Sequence, residues 1–462
     1  ANGCRDSAPE LSRVTDRRGS GSVDASLTVL TQVGVAGPQR SGVAVVKCVS
    51  IIAATVSGNR GAEAMLETTV GRVRDAHPDV EFAVFSYYPE RDAQLVTDPK
   101  VRVYSSTPAY LVLVLFPWCV LLGVLRLLGI PITRLGPPSV RALSGSDVLI
   151  DLAGVSFIAG REKFLPFNVL TILHAILVGV PVAKLSQALG PFSGRRARMA
   201  AHILWRCALV VPRGEVTEQN LVDIGFPNSL TFPAPDIAFL FDARDALSHE
   251  GVEEARQILT RIESARSNGS TVVGLCPSAV LAAKAVAQGE DYVGFLAQII
   301  GDLNGQGHTV VLFPNATRAG SAKLRNNDLP VIAQITERMG DSEATSVIAV
   351  EGDMDAASLR MVVSACACVM VSRFHAMVGA LAGSVPVLVL GWSHKYLEVM
   401  SQFGQERYVF DYSSGDRAAV IARLDELIVR RDTVSQEIED ALGDVQSQCR
   451  EQFLELDRRL LS

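Results

Sequence analysis

Residues 361–404 read MVVSACACVMVSRFHAMVGALAGSVPVLVLGWSHKYLEVMSQFG. The apolar, partly β-branched run 367–371 predicts a buried strand, and Ser372-Arg373-Phe374-His375 is the break at its end. Residues 376–382 have helix-forming composition, closed by Gly383. A second buried strand is expected at 386–390, followed by the polar loop Gly391-Trp392-Ser393-His394-Lys395. Strand, loop, helix, strand, loop is a βαβ unit with a parallel strand pair. In open parallel sheets, ligands bind beyond the carboxyl ends of the strands. Both breaks lie at that edge, so Arg373, His375 and Lys395 share one rim: two fixed cations and one proton carrier.

The same alternation runs through the rest of the chain. Strands are expected within 43–56 and at 80–87, 147–152, 181–187 and 207–212, with helices at 62–73, near 164–178 and at 215–224. Arg213 stands at the carboxyl end of the last strand. This predicts a doubly wound domain over 43–232. Pro233-Ala234-Pro235-Asp236 reads as a hinge. A second Rossmann-like domain is expected over 233–415, with strands at 271–276, 309–313 and 346–350 before the pair in the quoted stretch. Its helices fall at 251–264, 292–303, 329–339 and 356–363. Residues 416–462 predict a closing C-terminal helix. The fold class is therefore α/β, with two Rossmann-like doubly wound domains in an arrangement that resembles the GT-B architecture, where the cleft between domains is the natural site. The first strand runs into Ser57-Gly58-Asn59-Arg60-Gly61 and a helix N-terminus. Such a turn either cradles an anion or sugar or is a plain βα connection.

Composition narrows the function classes. The 462 residues are 48% hydrophobic and 20% charged, with net charge −6, which does not describe a nucleic-acid binder. Eight cysteines are scattered at 4, 48, 119, 207, 276, 366, 368 and 449, and no spacing among them matches a structural zinc site. Reduced thiols in a chain of this size point to the cytoplasm. Residues 1–42 are Gly, Ser, Arg, Asp and Thr-rich without periodicity and read as a disordered leader lacking a secretory h-region.

One stretch stands apart. Residues 110–130, YLVLVLFPWCVLLGVLRLLGI, form the core of an apolar insertion at 109–131 with a single charge, Arg126. The length matches a membrane span, but Pro117, Arg126 and the α/β patterning on both sides oppose a crossing. A helical insertion touching the membrane and an ordinary buried helix pair are the other two readings. Arg126, Arg134 and Arg141 suit an anionic surface or a solvated face. The expected location is cytoplasmic, with peripheral contact at the inner face of the plasma membrane.

Over residues 45–410 the chain resembles the polysaccharide pyruvyl transferase family. The anchors are Asn59-Arg60-Gly61-Ala62-Glu63-Ala64, Gln187-Ala188-Leu189-Gly190-Pro191-Phe192, Arg213, Asp236-Ile237-Ala238-Phe239 and Ser372-Arg373-Phe374-His375, continued by Gly383, Pro386 and Lys395. The resemblance implies transfer of pyruvate from phosphoenolpyruvate (PEP) to a sugar of a cell-surface polysaccharide or lipid-linked glycan, as a ketal. It implies a PEP site at the carboxyl edge of the second sheet, with the Arg-x-His pair touching PEP and an arginine from the first part of the chain assisting. The expected general acid is His375, and the expected substrate-binding residues are Arg373, Arg213, Lys395, Arg60, Asn59 and Phe374. The sequence departs from the family where Ala62 stands for a frequent Asp, Ala153-Gly154-Val155 for a Gly-Gly-Gly run and Pro314-Asn315 for a frequent Pro-His pair.

The chemistry asks for these residue types. PEP carries a carboxylate and a phosphate, which Arg grips bidentately. Adding a hydroxyl at C2 requires protonation of the methylene carbon, for which His is suited near neutral pH. Neither a metal nor a cofactor is needed. Plainer readings stand beside these: Arg60 pairing with Glu63, Arg213 with Glu215, Lys395 as a surface lysine, His375 as a capping residue. Two further functions fit the architecture, a GT-B glycosyltransferase using a nucleotide sugar and a diverged non-catalytic scaffold of envelope-glycan synthesis. The first would need an acidic ribose ligand beside a glycine loop. Glu351-Gly352-Asp353 is present, without such a loop.

Overall fold

The computed structural model describes residues 46–158, 161–318, 326–339, 346–391, 394–412 and 415–462, which belong to one compact unit. The leader expected at 1–42 lies outside the described residues.

Seven parallel strands form the first sheet: β1 (Cys48–Ile52), β2 (Glu81–Ser86), β3 (Val101–Ser105), β4 (Val148–Asp151), β5 (Val155–Ser156), β6 (Val182–Leu189) and β7 (Leu209–Pro212). Their order is β3-β2-β1-β4-β6-β5, with β7 also on β6. Six parallel strands form the second: β8 (Val272–Cys276), β9 (Thr309–Leu312), β10 (Val347–Ala349), β11 (Cys368–Val371), β12 (Val387–Gly391) and β13 (Val409–Asp411), ordered β10-β9-β8-β11-β12-β13. The central strands β1, β4, β8, β11 and β12 are almost wholly buried, as near-continuous apolar runs covered on both faces must be. In both sheets the order reverses beside the first strand of the set, β1 or β8, and crevices open at the carboxyl ends there. This is the α/β class expected, with β3, β5, β13 and the helix Pro89–Leu95 added to the pattern.

The expected single helix over 416–462 is corrected. It breaks at Arg430 into helices Arg417–Val429 and Arg431–Leu456, then a π turn at Asp457–Leu461. The buried apolar positions keep one helical period across the break, Val420, Leu424, Leu427 and Ile428 before it and Val434, Ile438, Val445 and Cys449 after it, which is why the sequence reads as a single helix. The longer helix returns to the segment between the sheets: Gln452 donates to the Pro235 carbonyl (3.1 Å) and Gln446 to that of Phe239 (3.2 Å). His77 Nε2, in the first half of the chain, lies 2.6 Å from Asp457 Oδ1.

The apolar insertion is one continuous helix over Pro108–Leu127, with a π turn at Leu111–Leu115 just before Pro117. A π turn is a usual accommodation where the backbone ladder is interrupted, and Pro117 has no N–H to donate. Leu111, Leu115, Cys119 and Leu122 face the core, while Leu113, Leu121, Val124 and Leu127 are exposed. Gly123 lets the helix lie close on the neighbouring helix Leu165–Val178: a Cβ there would sit 2.9 Å from the Leu177 carbonyl oxygen.

Candidate active site

β11 ends at Val371, and the chain turns directly into the helix Phe374–Ala382, with Arg373 extended at its N-cap (φ −111°, ψ 134°). Ser372 is pinned at this turn. The Tyr292 hydroxyl donates to its Oγ at 2.9 Å, and that of Tyr396 to its carbonyl at 3.1 Å. The Arg373 guanidinium lies against Asp328, with Nε 3.1 and 3.0 Å from the two carboxylate oxygens and Nη2 on Oδ1. Asp328 is fully buried and also accepts from the backbone N–H groups of Ala279 (2.8 Å), Asn315 (3.2 Å) and Ala316 (2.9 Å). One carboxylate thus ties together the loops that follow β8, β9 and β11. Burial alone would lower the Arg373 pKa, but Asp328 outweighs it and holds the guanidinium charged.

His375 occupies the first turn of the same helix, and its Nε2 lies 3.5 Å from Asp236 Oδ2. That is longer than a formed hydrogen bond, and Nε2 is buried with no hydrogen-bond partner among the described residues. Asp236 accepts from Arg213 Nη1 at 2.7 Å through Oδ2 and from the Ala238 N–H at 3.0 Å through Oδ1. Burial pushes the Asp236 carboxyl up, but His375 and Arg213 more than offset it, so the group is held well below the usual carboxylate range. Arg213 leaves β7 where its N–H donates to the Gln187 carbonyl at 2.8 Å. The plainer pairing with Glu215 gives way to Asp236.

Phe374 is buried, and two cations stand over its ring: Arg213 Cζ at 4.2 Å and Lys395 Nζ at 5.1 Å from the centroid. Lys395 lies in the first turn of the helix His394–Ser401 and not in a loop. Burial, then the charges of Arg213, Arg161 and Arg373, bring its pKa down to about 7. Arg213, Arg373, Lys395 and Arg161 therefore form one cationic cluster beside Phe374, with Arg213 paired to Asp236 and Arg373 to Asp328.

The loop after β1 meets this cluster from the other sheet. Asn59 caps the helix Arg60–Ala76, accepting from the N–H groups of Gly61 (3.0 Å) and Ala62 (3.4 Å). The Arg60 N–H donates to the Asn315 carbonyl at 3.0 Å. The Arg60 side chain is buried and paired with Glu63 at 2.8 Å, and Nη1 also donates to the Met354 carbonyl. Gly61 lies flat on the His375 ring, where a Cβ would fall 2.0 Å from Cγ. Arg60, Gly61, Asn315, Arg360 and His375 line a small cavity of about 40 Å³. A larger cleft of about 740 Å³ opens beside Arg213, lined by Glu215, Pro235, Glu398, Gln402 and Gln448 among others.

Of the predicted site residues, Arg373, His375, Lys395, Phe374 and Arg213 come together. Asn59 and Arg60 lie at the seam between the sheets and bind protein groups. Asp328 and Arg161 were not singled out in the sequence. Asp328 directly precedes Leu329-Pro330 at a helix start, where an Asp reads as an ordinary N-cap. The only signal of Arg161 is its place beyond the small-residue loop after β4.

Solved structures share the fold at low sequence identity. UDP-bound MnaA of S. aureus is 12% identical with a TM-score of 0.54, covering 90% of this chain and 98% of that one. A UDP-N-acetylglucosamine 2-epimerase is 13% identical with a TM-score of 0.52, covering 89% and 96%. Anabaena Alr3699/HepE in complex with UDP-glucose is 13% identical with a TM-score of 0.50, covering 88% and 98%. These likenesses establish the two-sheet GT-B-like fold. No curated protein matches the chain. The family model for polysaccharide pyruvyl transferase matches residues 59–394, a span that runs from the Asn59 cap through Arg213, Asp236, Arg373 and His375 to the start of the last site helix, and the chain belongs to that family.

Proposed function

We propose that the protein transfers pyruvate from PEP to a hydroxyl pair of a glycan or lipid-linked glycan, forming a cyclic ketal, with His375 as the general acid. The observation that carries this reading is the His375 Nε2, buried without a hydrogen-bond partner among the described residues, beside the Asp236 carboxylate that Arg213 also holds, with Arg213 and Lys395 both over the ring of the preceding Phe374. Cations clustered beside such a histidine suit a small dianionic or trianionic substrate whose carbon must be protonated. Arg373 and Lys395 take the carboxylate and phosphate, and Asp236 fixes the Arg213 guanidinium. His375 gives its proton to the methylene carbon while the first sugar hydroxyl adds to C2 and passes its own proton to the phosphate that will leave, and the proton of the second hydroxyl later restores His375. The C2–O bond to phosphate then breaks, phosphate leaves toward the cations, and the second hydroxyl closes the ketal. The adjoining 740 Å³ cleft has the size and the polar Glu215, Glu398, Gln402 and Gln448 lining that a sugar needs.

The test is thermal stabilisation and calorimetry with PEP, UDP-glucose and GDP-mannose in parallel, followed by phosphate release with candidate acceptors. PEP should raise the melting temperature and the nucleotide sugars should not. Stabilisation by a nucleotide sugar with none by PEP would replace this reading with glycosyl transfer.

A further inference from the structure

The helix Pro108–Leu127 carries an apolar face that the protein does not cover. Its inward positions Leu111, Leu115, Cys119 and Leu122 recur every three to four residues and are buried. The opposite positions are aliphatic too, and they face outward: Leu113 is 73% exposed, Val124 51%, Leu127 88% and the following Leu128 70%. A soluble helix would carry charged or polar residues there. An uncovered aliphatic stripe of this length marks a contact surface.

Charge gives the identity of the contact. The chain as a whole has net charge −6, yet residues 99–146 contain five Lys or Arg and no Asp or Glu. Residues 163–214 contain seven and again no acid. The helices of these two segments form one layer on a face of the first sheet, since Leu165–Val178 packs against both Pro108–Leu127 and Gly194–Ala201, while Lys184 and Arg213 are buried against Asp151 and Asp236 and add nothing to its charge. Within that layer Arg134, Arg141, Arg195, Arg196 and Arg198 are exposed, and so is Met199, at 75%. A basic helix beside an aliphatic one, with acids excluded from both, is complementary to a surface that is apolar beneath and anionic on top.

We propose that this face, the outer stripe of Pro108–Leu127 together with the basic helix Gly194–Ala201, docks the protein on an anionic lipid bilayer. The helix lies in the interface and does not cross, because its inner face is already packed on the protein. The basic helix sits over the lipid phosphates. The proposal rests on exposure and charge alone and stands whether or not PEP is the donor.

The experiment is co-sedimentation of the full chain with vesicles of phosphatidylcholine containing about 30% phosphatidylglycerol, against vesicles of phosphatidylcholine only. Binding should be strong on the anionic vesicles and fall about 10-fold or more without the anionic lipid or in about 0.5 M salt. Val124→Ser combined with Leu127→Ser and Leu128→Ser should reduce binding about 10-fold or more. So should Arg195→Glu combined with Arg196→Glu and Arg198→Glu. All these residues are exposed, so an unchanged melting temperature shows that the variants fold. No binding by the wild-type chain to anionic vesicles overturns the proposal. So does a concentration-dependent dimer, dissolved by the Ser substitutions while vesicle binding is absent, which would assign the face to a second copy.

Discussion

Arg373 already has a partner in the protein, and this changes what its substitution measures. It neutralises the buried Asp328, which also anchors the backbone of three loops. Arg373→Ala would leave that carboxylate buried and unpaired, a loss of about 3–5 kcal/mol. Arg373→Lys keeps a charge but gives up the bidentate fork. It should fold, bind PEP about 10-fold or more weakly and leave turnover at saturating PEP within a few-fold; calorimetry and steady-state kinetics check this. His375→Ala should do the reverse, lowering the rate about 10²–10⁴-fold with PEP affinity nearly kept. Near-normal turnover by folded His375→Ala would remove it as the acid. Lys395 adds a pH signature. With its pKa near 7 in the free protein, it loses its proton as pH rises through that range. An anion bound beside it favours the charged form, so binding draws a proton in. PEP affinity should therefore weaken as pH rises above about 7, and Lys395→Arg, which stays charged, should flatten the curve. Equal slopes for the two proteins would place Lys395 outside the PEP contacts.

The helix Arg60–Ala76 shows how closely the two sheets are fitted at the site. Its first turn has no side chain at Gly61 because the His375 ring occupies that space. Gly61→Ala would have to displace the ring or the turn, since the added carbon would fall 2.0 Å from Cγ. The expected result is a fall in rate of roughly 10-fold or more with the melting temperature lowered by only a few degrees, measured by phosphate release and calorimetry. An unchanged rate would mean that the ring can move without consequence. Much of this arrangement is legible in the sequence. The apolar runs of β1, β4, β8, β11 and β12 leave little choice of element, and polar breaks at strand ends put Arg373 and His375 on one rim and Arg213 at the carboxyl end of a strand in the other sheet. The (i, i+3) spacing also makes the Arg60–Glu63 pair readable. Other features are hidden because their cause is tertiary. β3 is an edge strand of alternating character, VRVYS, and β5 is two residues long. The role of Asp328 depends on three loops meeting in space. The outward stripe of Pro108–Leu127 is invisible by composition, since both faces of that helix are apolar and only packing separates them.

The seam between the sheets carries a cluster of acids with too few partners. Glu63, Glu67 and Asp355 are buried, and Arg60 is the one cation paired with Glu63. Glu63 Oε2 accepts the Ala356 N–H at 3.0 Å, which joins the helix Arg60–Ala76 to the start of Ala356–Ser364 in the second half. Glu67 Oε1 accepts the Leu247 N–H at 2.6 Å, at the segment linking the sheets. The second oxygens of Glu63, Glu67 and Asp355 lack hydrogen-bond partners among the described residues. Carboxylates crowded in this way cannot all ionise. Burial chiefly, with Asp355 adding to it, raises Glu67 from 4.5 to about 8, and burial raises Glu63 as well despite Arg60. A raised carboxyl pKa means that the fold holds a proton which the unfolded chain has already lost. Its contribution to stability is complete below the unfolded value of 4.5 and is lost as pH rises through about 8. The melting temperature should therefore drop between about pH 5 and about pH 8, as the fold keeps a proton that the unfolded chain has released. Glu67→Gln keeps the carbonyl oxygen that accepts the Leu247 N–H and has no proton to lose. It should melt close to the wild type near pH 4.5 and be more stable by about 1 kcal/mol or more near pH 8. Calorimetric melts of both proteins across that range decide it, and parallel curves would show that Glu67 does not titrate with the fold.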